Sequence, residues 1–342
     1  MHVIIRARAP LRLGLAGGGT DLRWYSDLFG GAVVNTTICR FVNLKVENRD
    51  DGKIVFTSYD TGTSEAHDAD NILKSRQMPL YTAAYNKILS ISDKEKPIPI
   101  HIESISDSPV GSGLGTSSTL TVTLVKALSD LFEVNLNRYE IAELAYQIER
   151  EDCGFTGGLQ DHYAASFGGF NQFIFHKNRS VSVRPIQIER SFMINLETQI
   201  LLYFSGVSRV SSSIIDDQIR AVKELSDTAL NSMHGMKEDA MEMKGVLMRG
   251  DLERFSGIIK GGWIRKKETS DKMTNGHIDE LIDTLFERGI KCAKVSGAGG
   301  GGFIYMVVPL NKREEVTMEI SKREGFHGGC RFTEHGVESW RE

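Results

Sequence analysis

Apolar and polar residues alternate over residues 3–15, the first recognisable element of the chain. Seven apolar side chains fall on one face of this segment, whereas Arg6, Arg8 and Arg12 fall on the other. Because successive side chains of a β-strand point to opposite sides, this period of two predicts a half-buried strand. The strand runs into a turn at 16–21. Further strand-like runs follow at 32–38, 41–48, 53–57 and 98–103.

The middle of the chain changes to the spacing of helices. Residues 116–132 are apolar nearly all round, which predicts a buried helix. A second helix is predicted after Asn137, whose side chain can cap it, because Glu140 lies where a capping box requires an acidic residue. The other helical patterns lie at 71–91, 212–232, 236–249, 251–268, 276–288 and 312–324. The other strand patterns lie at 169–175, 181–188, 199–204 and 303–308.

These elements predict a mixed α+β architecture of two domains, residues 1–188 and 189–342. A chain of 342 residues can bury two hydrophobic cores, and its hydrophobic content of 40% is that of a globular protein. The net charge of −4 offers no field that attracts nucleic acid or an anionic membrane, so neither is predicted as a partner. Four scattered cysteines and the lack of a long apolar run predict a cytoplasmic protein with reduced thiols.

The chain has 34 glycines against 7 prolines, and many of them form runs between apolar segments. The most informative run is 109-PVGSGLGTSS-118, at the start of the predicted helix. Its glycines at 111, 113 and 115 allow a sharp turn, and the free amides of a helix start favour a phosphate. A missing lysine excludes a Walker A loop, and the spacing is not that of a dinucleotide fingerprint. A tight loop closed by a Ser or Thr cap is the structural alternative.

Two carboxylates follow in 149-EREDCGFTGGLQDHYAASFGG-169. Glu149 lies near the end of the capped helix, and Asp161 follows a glycine turn. A kinase needs one carboxylate for Mg²⁺ and another to orient the hydroxyl that accepts the phosphoryl group, and this pair meets that need. Glu151 and Asp152 compete with Glu149, which we prefer because it lies on the helix. A solvated helix-end charge and a helix cap are the alternatives for the pair.

Two other glycine runs and three basic residues complete the set of candidates. The run 295-VSGAGGGGF-303 allows close approach to a loop or ligand, or else forms a flexible hairpin. In 14-GLAGGGTDL-22, Asp21 can accept hydrogen bonds from sugar hydroxyls, or cap an ordinary turn. Arg209, Lys266 and Lys267 suit a second phosphate, although a charged helix face is the commoner explanation for the lysines.

Three of these motifs, in this order, resemble those of the GHMP kinases, which include galactokinase, homoserine kinase and mevalonate kinase. The family motif P-x-x-x-G-L-G-S-S matches 109–117, with Thr116 in place of the first serine, and the late glycine motif matches 297–302. Within the family, the segments 9–22, 157–169 and 275–281 resemble the bacterial heptose 7-phosphate kinases and the related fucokinase domains. The resemblance spans essentially the whole chain.

The resemblance implies an N-terminal domain like domain 2 of ribosomal protein S5 and a ferredoxin-like α/β C-terminal domain. It also implies an ATP- and Mg²⁺-dependent kinase that phosphorylates the anomeric hydroxyl of a heptose 7-phosphate, giving a 1,7-bisphosphate for GDP-heptose and surface polysaccharide synthesis. The partner would be a small sugar phosphate, and the protein would be a monomer or a homodimer.

The resemblance assigns roles to individual residues. Asp161 would be the catalytic base, and Ser117 and Glu149 would be the ligands of Mg²⁺. The nucleotide site would comprise Pro109, Gly111, Ser112, Gly113, Leu114, Gly115, Thr116, Ser117 and Ser118. The substrate site would comprise Arg12, Gly18, Gly19, Thr20, Asp21, Gly158, Asp161, Arg209, Gly299, Gly300 and Gly301.

Three other functions are alternatives to a heptose 7-phosphate kinase. A kinase of another sugar, such as fucose or a hexose, would use the same motifs. A non-catalytic sugar sensor on the same fold is disfavoured, because Ser117, Glu149 and Asp161 are all present. A nucleotide-dependent oxidoreductase is disfavoured by the glycine spacing.

Overall fold

The computed structural model describes residues 3–69, 74–206 and 227–342, which form two β-sheets with helices packed against them. Eight strands form the first sheet: β1 (Ile4–Ala16), β2 (Gly31–Asn48), β3 (Lys53–Ser58), β4 (Thr63–Asp68), β5 (Ile100–Ser106), β6 (Phe170–Phe175), β7 (Val181–Pro185) and β12 (Glu338–Arg341). Four antiparallel strands form the second sheet, in the order β11 (Phe326–Gly329), β8 (Ile200–Phe204), β10 (Phe303–Val307) and β9 (Cys292–Val295).

The long strand β2 organises the first sheet. Its residues Val34–Glu47 pair with β1, while its first part pairs with β6 and its last part with β5. The sequence predicts two strands at 32–38 and 41–48, but the structure has one continuous strand. The alternation in β1 places Ile5, Ala7 and Ala9 in the core, as the period of two predicts.

Three helices cover one face of the first sheet: α2 (Pro79–Ile91), α3 (Thr116–Leu131) and α4 (Arg138–Tyr146). The α3 helix is buried nearly all round, as its sequence predicts. The capping box of α4 is present, since Asn137 accepts from the Glu140 amide and Glu140 accepts from the Asn137 amide. After α4 the chain forms a π-helical turn at Gln147–Asp152, and the helix α5 (Gln160–Phe167) follows.

The other helices are α1 (Arg23–Phe29), α6 (Arg190–Gln199), α7 (Asp227–Arg249), α8 (Leu252–Lys267), α9 (Gly276–Glu287) and α10 (Arg313–Ile320), with 3₁₀ turns at Asp271–Met273 and Leu310–Lys312. The sequence predicts a break between 232 and 236, but α7 runs through it. The break is absent because Met233 and Met236 are buried on the core face of this helix. Among the described residues, no helix is both long enough and apolar enough to cross a membrane.

A shared hydrophobic core joins the two sheets, because Leu11 and Leu13 of β1 pack in one cluster with Leu202, Phe303 and Tyr305 of the second sheet. The predicted domain boundary at 188 falls between β7 and α6 and stays a prediction. The last strand, β12, returns to pair antiparallel with β1. This part of the predicted segment 189–342 therefore lies in the first sheet.

Candidate active site

The glycine-rich segment 109–118 forms the loop between β5 and the first residues of α3. Three of its glycines have φ angles in the left-handed region, with values of 73°, 80° and 81° at Gly111, Gly113 and Gly115. A Cβ at Gly113 would collide with the Ser296 carbonyl oxygen, so only glycine fits there. Gly115 is the N-cap of α3 and no side chain caps this helix. The Ser or Thr cap proposed as an alternative is therefore absent, and the helix presents amide groups toward an anion.

The carboxylate of Glu149 contacts the second and third residues of α3. Ser117 Oγ donates to Glu149 Oε1 at 2.6 Å, and Ser118 Oγ donates to Glu149 Oε2 at 2.7 Å. The π-helical turn carries Glu149 into the interior, where the residue is 1% exposed, while Glu151 and Asp152 remain on the surface. The preference for Glu149 over its two acidic neighbours agrees with this placement.

Two basic groups hold the buried Glu149 carboxylate. Burial alone would raise its pKa, but the charge of Arg150 at 3.4 Å and the hydrogen bonds from His162 and Ser117 lower the pKa to about 2. His162 Nε2 lies 2.6 Å from Glu149 Oε2 and is itself fully buried. Glu149 is therefore an anionic oxygen donor beside a hydroxyl, a set of hard ligands that suits Mg²⁺.

The second carboxylate, Asp161, is the second residue of α5 and pairs with Arg12 of β1. Arg12 Nε donates to Asp161 Oδ1 at 2.7 Å, and Arg12 Nη2 donates to Asp161 Oδ2 at 2.9 Å. Arg12 Nη1 also donates to the Gly113 carbonyl at 2.7 Å, which ties this pair to the phosphate loop. A Cβ placed on Gly115 would lie 3.1 Å from Asp161 Oδ2, so the carboxylate faces the start of α3. Asp161 is thus not a simple helix cap.

The first glycine turn holds Asp21 against the start of α5. The amides of Gly19 and Gln160 donate to its two carboxylate oxygens at 3.0 and 3.1 Å. Burial raises the pKa of Asp21, and the neighbouring charge of Asp161 raises it further, although these amides oppose the shift. Gly158 packs so closely on the Asp21 carboxylate that a Cβ there would overlap it.

The phosphate loop and the carboxylates of Glu149, Asp161 and Asp21 line one open cavity of about 650 Å³ between the two sheets. The predicted residues on its wall are Arg12, Gly18, Gly19, Asp21, Gly111, Ser112, Gly113, Gly115, Thr116, Ser117, Ser118, Glu149, Gly158 and Asp161. A cavity of this volume can hold a nucleotide or a sugar, since ligand pockets commonly span roughly 300–1,000 Å³. The residues predicted from the sequence therefore form about half of the cavity wall.

The structure places the other predicted residues outside the wall of this cavity. Leu114 and Thr20 are buried, and the Thr20 hydroxyl donates to the Gly17 and Ala32 carbonyls. Pro109 is exposed beside the loop. Gly299 and Gly300 contact Met273 instead, and Gly301 is buried next to them. Arg209 lies outside the described residues.

The late glycine run reaches the phosphate loop through its first and last members. Gly297 packs on the backbone of Gly113, and Gly302 packs on the Ser112 carbonyl. Ser296 Oγ donates to the Gly113 carbonyl at 2.9 Å, and the Phe303 amide donates to the Ser112 carbonyl at 2.8 Å. The run thus braces the loop from the second sheet, although its central glycines do not line the cavity.

Comparison with known proteins agrees with this arrangement. The family model "GHMP kinases N terminal domain" matches residues 80–169, and the model "GHMP kinases C terminal" matches residues 243–324. A curated relative from Campylobacter jejuni, D-glycero-alpha-D-manno-heptose 7-phosphate kinase, is 38% identical over 98% of this chain and 99% of its own. The chain belongs to the GHMP kinases.

Two further similarities support the same family. A crystal structure from Bacteroides thetaiotaomicron, described as a D-glycero-D-manno-heptose 1-phosphate kinase, has a TM-score of 0.83 and 34% identity, and covers 98% of each chain. The L-fucokinase/L-fucose-1-P guanylyltransferase of Bacteroides fragilis is 28% identical over 93% of this chain and 36% of its own length. Because GHMP kinases use ATP as the phosphoryl donor, this GHMP kinase is an ATP-dependent phosphotransferase.

Sequence reasoning missed several groups that this GHMP kinase brings to the cavity. Arg150, Phe155 and Gln160 line it, and all three lie in the segment between the two predicted carboxylates. Lys294, which was also missed, lines it from the second sheet, together with Lys266 of α8, which the sequence named as a candidate for a second phosphate. The alternative explanation, a charged helix face, fits Lys267, which pairs with Asp279 at 3.1 Å. It is wrong for Lys266, whose side chain is buried. The pair of adjacent lysines in 263-WIRKKETS-270 was the only feature of the sequence that pointed to a basic group at this end of the cavity.

Proposed function

We propose that this GHMP kinase transfers the γ-phosphoryl group of ATP to the anomeric hydroxyl of D-glycero-D-manno-heptose 7-phosphate, forming the 1,7-bisphosphate. The curated relative and the Bacteroides thetaiotaomicron structure, each more than 30% identical to this chain, carry the name of a heptose phosphate kinase, so their names agree on a phosphorylated heptose as acceptor. The two names differ in the position of the existing phosphate. The assignment to carbon 7 rests on the relative of higher identity and on the sequence motifs.

One observation supports this chemistry most directly: Asp161, held by Arg12, faces the start of α3. The amides at this helix start favour phosphate oxygens, and the Asp161 carboxylate can accept a hydrogen bond from a hydroxyl placed between them. Asp161 would orient that hydroxyl for in-line attack and accept its proton. Positioning of this kind, together with electrostatic stabilisation, supplies most of the catalysis in phosphoryl transfer.

Ser117 and Glu149 would hold Mg²⁺ at the other side of the phosphate loop. Their oxygens are 2.6 Å apart, and both residues line the cavity. When bound, Mg²⁺ would offset the negative charge of the phosphate oxygens of ATP. Arg150 and His162 would keep the Glu149 carboxylate in place through the contacts described above. An enzyme that uses ATP and a sugar phosphate would work in the cytoplasm.

The test is ATP consumption by the purified protein with a panel of acceptors. The panel contains the heptose 7-phosphate, the heptose 1-phosphate, the free heptose, L-fucose, galactose and mevalonate. We expect the highest kcat/KM with the 7-phosphate, and a new anomeric phosphate signal in the ³¹P NMR spectrum of its product. A preference for the 1-phosphate or for an unphosphorylated sugar would overturn the proposed acceptor. Absence of turnover with every acceptor would overturn the proposed kinase reaction.

A further inference from the structure

Two buried lysines stand on the wall of the cavity, and the mechanism above uses neither. Lys266 comes from the last turn of α8 and is 6% exposed, and Lys294 comes from β9 and is 7% exposed. Both lie on the side of the cavity formed by the second sheet and its helices. Lysine is rarely buried without a partner, since its ammonium group loses hydration that the interior does not replace.

The partners of these lysines do not balance their charge. Lys266 Nζ donates to the Gly297 carbonyl, and Lys294 Nζ donates to the Gly14 carbonyl at 3.4 Å. In the part of the chain that the structure describes, neither ammonium group has a carboxylate within ion-pair distance. The adjacent Lys267 differs, because it is 37% exposed and pairs with Asp279.

The nearby carboxylates are already occupied. Asp161 pairs with Arg12 through two hydrogen bonds, and Asp21 accepts hydrogen bonds from the Gly19 and Gln160 amides. Asp239, whose charge acts on Lys294, pairs with Arg265 at 2.7 Å. Burial lowers the pKa of Lys266 to about 7 and that of Lys294 to about 8, and repulsion from neighbouring cations adds to both shifts. A bound anion would reverse this penalty by supplying the missing negative charge.

The position of the pair indicates which anion it would take. Lys294 reaches the carbonyl of Gly14 in β1, just before the first glycine turn, and this carbonyl also accepts from the Tyr305 hydroxyl at 2.9 Å. Lys266 feels the charges of both Asp21 and Asp161. The phosphates of ATP would have their own donors in the free amides at the start of α3. The lysines therefore belong to the acceptor end of the cavity.

We propose that Lys266 and Lys294 form the subsite for the phosphate that the acceptor already carries. This inference rests on the proposed function for the identity of that acceptor. Two ammonium groups without anionic partners would make a phosphorylated sugar a better substrate than the same sugar without phosphate. They would thus determine the selectivity of the enzyme between sugar phosphates and free sugars.

The first test measures selectivity in the variants Lys266→Met and Lys294→Met. The measured quantity is the ratio of kcat/KM for heptose 7-phosphate to kcat/KM for the free heptose. We expect each substitution to lower this ratio by roughly 10- to 100-fold, the value of a charge-assisted hydrogen bond, mainly through KM of the sugar phosphate. Lys267→Met is the matched control and should leave the ratio unchanged. A raised KM for ATP with an unchanged ratio would overturn the proposal.

The second test measures binding and does not depend on turnover. Calorimetry with a non-hydrolysable ATP analogue filling the nucleotide end would follow binding of the sugar phosphate and, separately, of inorganic phosphate. We expect both to bind the wild type and Lys267→Met, and to bind Lys266→Gln and Lys294→Gln at least tenfold more weakly. Equal affinity in all four proteins would overturn the subsite. A wild type that binds phosphate through these lysines but does not turn over any heptose phosphate would overturn only the proposed function.

Discussion

Arg12 and Asp161 form a two-pronged ion pair, in which Nε and Nη2 of the guanidinium each donate to a different carboxylate oxygen, at 2.7 and 2.9 Å. The planar fork of arginine fixes the plane of the carboxylate as well as its position. A residue of the first strand thereby orients a side chain 149 residues further along the chain. Because Arg12 also donates to the Gly113 carbonyl, the carboxylate and the phosphate loop are held as one unit.

We expect Asp161→Asn to lower kcat by roughly 10²–10⁴-fold, the usual contribution of a general base. The amide keeps the size of the side chain but cannot accept the hydroxyl proton. Binding of an ATP analogue, measured by fluorescence titration, should stay near the wild-type value, because the amides of the phosphate loop are untouched. The control is Asp283→Asn on the exposed face of α9. An Asp161→Asn enzyme with wild-type kcat would remove this residue from the catalytic role.

Ser117 and Ser118 form a matched pair for testing the Mg²⁺ site, because each donates to one oxygen of Glu149. Both serines line the cavity, but Ser117 is exposed whereas Ser118 is buried. We expect Ser117→Ala to raise the Mg²⁺ concentration for half-maximal activity by roughly 10–100-fold. Ser118→Ala should change this concentration less and should lower the melting temperature, because it leaves buried polar groups without a partner. If Ser118→Ala raises this Mg²⁺ concentration more than Ser117→Ala does, Ser118 and not Ser117 is the metal ligand.

Lys266→Met should stabilise the protein while impairing its use of sugar phosphate. Replacing a buried unpaired charge by an apolar side chain of similar length should raise the free energy of unfolding by roughly 1–4 kcal/mol near pH 6. The pKa of Lys266 is lowered from 10.5 to about 7 in the fold, so the unfolded chain binds the proton more tightly. The wild type therefore gains stability as the pH rises from about 7 toward 10.5, and the advantage of the variant should shrink over that range.

Denaturant unfolding at several pH values, with Lys267→Met as control, measures this difference. Lys267 is partly exposed and ion-paired, so its substitution should change the free energy of unfolding by less than roughly 1 kcal/mol at every pH. A Lys266→Met protein that is less stable than the wild type at pH 6 would contradict the prediction.

Gly158→Ala should impair the acceptor end of the site selectively. The new methyl group would overlap the Asp21 carboxylate and force it away from the Gly19 and Gln160 amides. We expect KM for the sugar phosphate to rise by roughly tenfold or more, with KM for ATP changed by less than roughly threefold. Gly257→Ala in α8 is the control, since a Cβ there meets no atom within 4 Å. Equal effects on the two KM values would contradict the role of Asp21 in acceptor binding.

The parts of the site that lie in contiguous motifs could be predicted from the sequence. The phosphate loop, Glu149 and the capping box of α4 follow from local rules, because glycine spacing and helix caps act between residues close in the chain. The helical register carries Glu149 inward and Glu151 outward, and the choice of Glu149 as the ligand stays a prediction.

The sequence names Lys266 and Lys267 together as candidates for a second phosphate and cannot separate them. In the structure α8 buries the side chain of Lys266 and leaves that of Lys267 partly exposed. Lys266 and Lys294 are 28 residues apart in the chain. Only the packing of α8 against β9 brings them to the same wall of the cavity. The same applies to Met233 and Met236, which are buried in a cluster with Tyr25 of α1, where α7 is continuous although the local pattern predicts a break.

The pairing of β12 with β1 has a consequence for the synthesis of this enzyme. β1 carries Arg12, yet its outer edge is covered only when Glu338–Arg341 pair with Ile5–Arg8. While the ribosome is still making the second half of the protein, the emerging first sheet exposes a bare strand edge that could recruit another nascent chain. Because β12 follows the strands of the second sheet in the chain, this edge of β1 is covered only after residues 338–341 have been made.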